Sequence, residues 1–170
     1  MTVATLLALV LLGLPAAVSA QPEAHCVDAH RFVTEALDMA AVTEPDTLDD
    51  WRTDRRVPGC RVTAAGLTDG SARDAAVALF DALRDAGWTR TPDPRDAPGE
   101  ASLRFRRGGA DCLYSFYTGG ILGTEAEAIV DDARVPTRGE ARYNVAVQCI
   151  PAAPAAPRDP GRTPLEEPWD

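Results

Sequence analysis

The segment at residues 104–107 is the one local cluster of positive charge in this 170-residue chain. Charged and apolar residues alternate there, which predicts a strand with Arg104 and Arg106 on one outward face and Arg107 beside them. Guanidinium groups that share a face can hold an anionic ligand or an acidic partner. The simpler alternative is that they protect a strand edge against aggregation. We take Arg104, Arg106 and Arg107 as the predicted binding residues.

The two histidines, His25 and His30, flank Cys26 and Asp28 near the start of a predicted helix. A metal site would require both imidazole rings to converge on one ion. A separation of five residues turns the two rings about 140° apart on a helix, so they do not converge readily. We therefore expect structural roles for both histidines, and we predict no metal site and no cofactor.

Motifs for catalysis are not evident in the sequence. There is no Gly-x-Ser-x-Gly, and Ser71, Ser102 and Ser115 each fit a plain role as a helix cap or a strand residue. The acidic residues are numerous but scattered, and Asp131 and Asp132 point different ways on a helix because they are adjacent. Two carboxylates meeting in space as an acid–base pair remain the alternative. We predict no catalytic residue.

The charge balance of the chain excludes several classes of function. All 17 basic residues are arginine, and 26 acidic residues give a net charge of −9. An acidic chain of this kind is not expected to bind nucleic acid or an anionic membrane surface. The absence of lysine excludes Schiff-base chemistry and the lysines of phosphate-binding loops and kinases.

Four widely spaced cysteines, Cys26, Cys60, Cys112 and Cys149, contain no Cys-x-x-Cys motif. This spacing argues against a zinc ribbon or a thioredoxin-type site. An even number of cysteines in an exported chain predicts two disulfides, with three pairings possible. We favour Cys26–Cys60, which would join the first helix to the first strand, and Cys112–Cys149, which would join two strands.

Residues 1–20 have the character of a signal peptide, which makes Gln21 the expected mature N-terminus. An apolar run is followed by the small residues Ser19 and Ala20, although no basic residue precedes the run. The alternative is an uncleaved membrane anchor, but the run has about 16 residues and a spanning helix needs about 20. We therefore expect a secreted or periplasmic protein with no stable membrane insertion after cleavage.

The best-defined element is an amphipathic helix at residues 71–86, with apolar residues at helical spacing on one face. Ser71 and Asp74 form an N-cap pair, and Gly87 allows Trp88 to fold back onto Leu83. The other predicted elements are a helix at 22–41, an irregular loop at 42–58, strands at 61–65, 88–91, 102–107, 112–118 and 142–150, a loop at 92–99 and a short helix after Thr124.

This order of elements predicts one α+β domain over residues 21–150, a small antiparallel sheet with helices packed on one face and stapled by two disulfides. Trp51 is expected to pack its loop onto this domain, and Ile121 and Leu122 form a candidate contact point in a glycine-rich loop. Residues 151–170 contain six prolines, which predicts a disordered or polyproline-like tail.

Two classes of function are compatible with these features. We expect a non-enzymatic exported domain that binds an unidentified protein, a small molecule or a component of the cell envelope. The alternative is an exported hydrolase whose site is assembled from scattered carboxylates or histidines. Carboxyl groups with perturbed pKa values, clustered in a deep pocket, would favour the hydrolase.

Overall fold

The computed structural model describes residues 22–91 and 101–153. The predicted signal peptide, the proline-rich loop at 92–99 and residues 154–170 of the predicted tail lie outside the described residues. The strands are β1 (Ala40–Asp50), β2 (Arg55–Thr68), β3 (Thr89–Arg90), β4 (Ser102–Arg107), β5 (Ala110–Tyr117) and β6 (Ala141–Pro151). The helical segments are a 3₁₀ turn (Pro22–Cys26), α1 (Val27–Arg31), a π-helical turn (Phe32–Ala36), α2 (Ala72–Asp85) and α3 (Glu125–Ala133).

The six strands form one antiparallel sheet in the order β1-β2-β6-β5-β4-β3. This sheet, its helices and the two disulfides confirm the predicted α+β class. None of the described helices combines the length and the apolar character that crossing a membrane requires.

Helix α2 forms as its sequence predicts. The hydroxyl of Ser71 accepts a hydrogen bond from the backbone N–H of Asp74 at 3.1 Å. At the other end, Gly87 has a φ of +81°, a conformation that costs glycine little, and the N–H of Trp88 donates to the carbonyl of Leu83 at 3.0 Å. Both ends of the helix therefore satisfy backbone groups that would otherwise lack partners.

The main core lies between one face of the sheet and the helical segments that precede β1 and β3. Its centre is Tyr114, which is fully buried and makes edge-on ring contacts with Phe32, Trp88 and Phe105 at centroid distances of 6.2, 5.3 and 6.0 Å. Edge-to-face geometry is the favoured arrangement of aromatic rings, so these contacts stabilise the core beyond simple burial.

The disulfides Cys26–Cys60 and Cys112–Cys149 are the predicted pairs, and all four cysteines are buried. Cys149 lies directly opposite Cys112 on β5 and directly opposite Cys60 on β2. The sulfur atoms of Cys26, Cys60 and Cys149 lie within 4.8 Å of one another. The two disulfides are therefore neighbours in one core rather than separate staples.

The N-terminal part of the chain differs from the sequence prediction. The predicted helix over 22–41 ends at Ala36, and the segment predicted as an irregular loop forms β1 and the start of β2. Of β1, only Leu48 and Asp50 are buried, so the strand lacks the alternating apolar residues that identify a strand from sequence. It is a strand because its backbone pairs with β2 along eleven residues, and a local pattern does not reveal that partner.

Helix α3 covers one end of the opposite face of the sheet. The hydroxyl of Thr124 caps it by accepting the N–H of Glu127 at 3.2 Å. From α3, Asp131 accepts a hydrogen bond from Asn144 at 2.7 Å and pairs with Arg142 at 2.8 Å. Asn144 and Arg142 are two residues apart on β6, so both point to this face.

Candidate functional site

The β1–β2 hairpin folds over the face of the sheet that α3 leaves open. In the sheet, β1 is an edge strand, and three strands (β2, β6 and β5) separate it from β4. Even so, the ring of Trp51, in the hairpin turn (residues 51–54), lies 3.2 Å from the guanidinium carbon of Arg104 on β4. The turn must therefore cross the sheet, and Trp51 packs it onto the domain as predicted.

A buried ion-pair network holds the hairpin turn in this position. The buried carboxylate of Asp111 on β5 accepts hydrogen bonds from Arg106 at 2.6 and 2.8 Å and from Arg52 at 2.8 Å. Arg52 also donates to Asp50 at 2.7 Å. Burial alone would raise the pKa of Asp50, but hydrogen bonds from Arg52 and Thr53 lower it on balance. The sequence predicts an irregular loop over residues 42–58, and the buried network is a correction, because it fixes the charged residues of this segment against the sheet.

A groove with a cavity volume of about 450 Å³ lies between the folded hairpin and the sheet. Its floor is a row of four residues that are direct cross-strand neighbours on four adjacent strands: Arg61, Gln148, Leu113 and Arg104. The remaining lining residues are Asp46, Thr47, Leu48, Asp49, Trp51 and Arg56 from the hairpin and Ile150 from β6.

The charges in the groove are arranged in pairs. The Nη2 atom of Arg61 lies 2.5 Å from Oδ2 of Asp46, and the two side chains are 26 and 24% exposed. At the rim, Arg56 lies 3.6 Å from Asp49, and both side chains are exposed. Arg104 also lines the groove, where its guanidinium carbon lies 3.2 Å from the ring of Trp51. Among the described residues, the groove therefore brings three arginines and two aspartates together.

The three arginines predicted to bind a partner have three different surroundings. Arg104 lines the groove and is largely buried. Arg106 is on the same face but holds Asp111. Arg107 points to the opposite face, where it donates to the carbonyl of Ala86 and lies 5.8 Å from the ring of Trp88. The structure places Arg104 with Arg61 and Arg56 rather than with its neighbours in sequence.

Sequence reasoning missed most of the groove residues. The sequence predicts a strand at 61–65 but no role for Arg61, although its alternation with buried Val62 was the available signal that it faces away from the core. Trp51 and Arg56 were placed in an irregular loop. Because the groove exists only when the hairpin crosses the sheet, no local pattern could bring these residues together.

The structure gives one of the two histidines, His30, a polar contact with β1. The Nδ1 atom of His30 lies 2.9 Å from the hydroxyl of Thr43. Among the described residues, the one group of three potential metal-binding side chains is Cys26, Cys60 and Cys149, and disulfides consume all of these sulfur atoms. His30 instead lines a second cavity of about 530 Å³ between α1 and β1, which has no arginine cluster comparable with that of the groove.

The glycine-rich loop before α3 is held by one buried carboxylate. Glu127 accepts hydrogen bonds from the backbone N–H groups of Gly123, Leu122 and Ile121 at 2.8, 3.0 and 3.2 Å. Burial would raise the pKa of Glu127, but these hydrogen bonds lower it on balance. The loop presents Ile121 with 67% of its surface exposed, whereas Leu122 is partly buried, so Ile121 is the accessible residue of the two.

We expect Glu127→Gln to lower the free energy of unfolding by about 1–3 kcal/mol, because a charged acceptor of several hydrogen bonds is lost. The folded-state pKa of Glu127 lies below its ordinary value of 4.5, so the charged form stabilises the protein above that pH and the benefit is lost as the pH falls below it. Urea unfolding at about pH 7 and about pH 3.5 tests this, and the variant should lose less stability on acidification than the wild type.

Glu125→Gln is the matched control because Glu125 lies in the same helical turn but is exposed. An equal effect of the two substitutions would contradict a specific role for the carboxylate of Glu127.

Comparison with known proteins identifies no matching family model, no curated protein with significant similarity and no solved structure with a significant match.

Proposed function

We propose that this protein is an exported, disulfide-stabilised domain that binds a small molecule in the groove under the β1–β2 hairpin. The observation that carries the proposal is the groove itself, in which arginines, a tryptophan and the apolar residues Leu113 and Ile150 converge on one cavity of about 450 Å³. Cavities of this size with a few placed polar groups are typical of small-molecule sites.

Export is supported by the cysteines and by the predicted signal peptide. All four cysteines are paired, and the disulfides are buried in the core of the domain. Structural disulfides form and persist in oxidising compartments such as the periplasm or the extracellular space.

The ionisable groups favour binding over hydrolysis. General acids usually have a raised pKa, whereas the described carboxyl groups with a clearly shifted pKa, Asp50, Glu127 and Glu140, all have it lowered. Among the described residues, the carboxylates that line the groove are those of Asp46 and Asp49, and each is paired with an arginine. Such pairing holds the charges in place and favours the ionised form of each carboxylate over the protonated form that a general acid needs.

A substitution that fills the groove with a larger side chain tests the proposal. Gln148 lies on the floor, and a tryptophan there would project into the cavity, so we expect Gln148→Trp to weaken binding of the neutral dye N-phenyl-1-naphthylamine by at least about tenfold. The dye fluoresces in apolar surroundings, so a fluorescence titration gives the affinity.

Val77→Trp on α2 is the matched control because Val77 is an exposed residue outside the groove. This variant should bind the dye as the wild type does. Failure of the wild type to bind the dye, or equal binding by Gln148→Trp, would overturn the groove as the ligand site.

A further inference from the structure

We propose that the ligand is a carboxylate with a flat apolar body, and that Asp46 occupies the position of the ligand's carboxylate when the groove is empty. This inference rests on the proposed function, since it names the ligand class for the same groove. It is drawn from the Asp46–Arg61 pair and from the residues that surround it.

Arg61 is the residue best placed to receive an anion. It stands in register between Glu44 on β1 and Gln148 on β6, so its side chain rises from the sheet at the end of the groove floor. Its hydrogen bond within the described part of the chain is from Nη2 to Asp46 at 2.5 Å. A guanidinium group has five donors and binds carboxylates in a planar, two-point geometry. The guanidinium group of Arg61 can therefore bind a carboxylate, and in this structure it binds the carboxylate of Asp46.

Asp46 can be replaced at Arg61 at little cost. It comes from the edge strand β1, its side chain is partly exposed, and its other oxygen accepts the backbone N–H of Thr47 at 2.7 Å. Exchange of one carboxylate for another leaves the charge on Arg61 balanced. After the exchange, Asp46 still accepts the hydrogen bond from the backbone N–H of Thr47, and water molecules solvate the oxygen that Arg61 has released. Partly exposed ion pairs contribute little to stability, so the exchange is energetically accessible.

The rest of the groove suits a flat apolar group. The sheet forms one wall of the groove and the folded hairpin forms the other. Leu113 provides partly exposed apolar surface on the sheet side, Ile150 lines the groove but is almost fully buried, and Trp51 provides apolar surface on the hairpin side. A ligand held by its carboxylate at Arg61 would place its body along Gln148 and Leu113.

Isothermal titration calorimetry with 2-naphthoate and 2-naphthamide tests the inference. The two compounds have nearly the same shape and differ in charge. We expect naphthoate to bind the wild type at least about tenfold more tightly, the difference that a charge-assisted hydrogen bond provides. Arg61→Gln should remove this preference, and Gln148→Trp should abolish binding of both compounds.

The distinctive expectation is a gain of affinity. Asp46→Asn should bind naphthoate about fivefold more tightly, because the competing carboxylate is gone, while its affinity for naphthamide should not change. Asp49→Asn is the matched control, since it removes the same charge from the rim of the groove without touching Arg61. Its effect on naphthoate should be clearly smaller than that of Asp46→Asn.

Either of two results from the wild type would overturn the inference: equal affinity for the two compounds, or no binding of either. An Asp46→Asn variant that binds naphthoate no more tightly than the Asp49→Asn variant does would also overturn it. The comparison within the wild type does not depend on any variant folding, and circular dichroism verifies the fold of each variant. Dye binding that Gln148→Trp blocks, together with no preference for naphthoate, would reject the carboxylate and leave the groove as the ligand site.

Discussion

Replacing Cys112 and Cys149 together with alanine is expected to lower the free energy of unfolding by about 4 kcal/mol. The two residues are 37 apart in sequence, and the chain-entropy model assigns about that stabilisation to a loop of this length. Loss of the buried sulfur atoms adds to the effect, because the core around them is closely packed. A single-domain protein usually has only about 5–15 kcal/mol of stability, so the variant should unfold at a much lower urea concentration.

Both cysteines must be replaced because the two disulfides are adjacent. In a Cys112→Ala variant, the thiolate of Cys149 would lie within 4.8 Å of the sulfur of Cys60. Attack on that sulfur would form a Cys60–Cys149 bond and release the thiolate of Cys26, so the variant would report a rearranged disulfide. Urea unfolding of the double variant, followed by circular dichroism, avoids this. A loss of less than about 1 kcal/mol would contradict the expectation.

The second large effect is expected at Asp111. Asp111→Ala would leave the guanidinium groups of Arg106 and Arg52 without their shared buried carboxylate. Removing one partner of a buried ion pair costs about 3–5 kcal/mol, so we expect a loss of that size. Because the same network holds the hairpin turn over the sheet, binding of N-phenyl-1-naphthylamine should weaken as well.

Asp81→Ala is the control for this prediction. Asp81 pairs with Arg84 on the surface of α2, where the two side chains are 52 and 67% exposed. Exposed pairs contribute about 0–1 kcal/mol, so this substitution should have little effect on urea unfolding and none on dye binding. If Asp111→Ala proved as mild as Asp81→Ala, the network would not be what holds the hairpin.

The elements that the sequence predicted well are those whose signals are local. Helix α2 is defined by its own spacing, its Ser71 cap and the glycine that ends it. Strands β4 and β5 alternate clearly, so each of these elements is encoded within a few consecutive residues. The disulfide pairs were predictable for another reason, because four cysteines allow only three pairings.

The groove was not predictable in the same way. Strand β1 carries Pro45 and several acidic residues, a composition typical of a loop, and it forms because β2 offers a partner. Without that hairpin, Trp51 has no reason to lie near Arg104. The alternation of β4 predicted correctly that Arg104 and Arg106 share a face. It did not predict that the guanidinium group of Arg106 donates hydrogen bonds to the carboxylate of Asp111.

The most direct test of the ligand site is an NMR measurement of nuclear Overhauser effects between bound 2-naphthoate and the methyl groups of the protein. The groove predicts contacts to Leu113 and Ile150, which line it, and none to Val77 on α2 or to the exposed Ile121. Contacts to Val27, which lines the second cavity, without contacts to Leu113 and Ile150, would place the ligand elsewhere and contradict the proposed site.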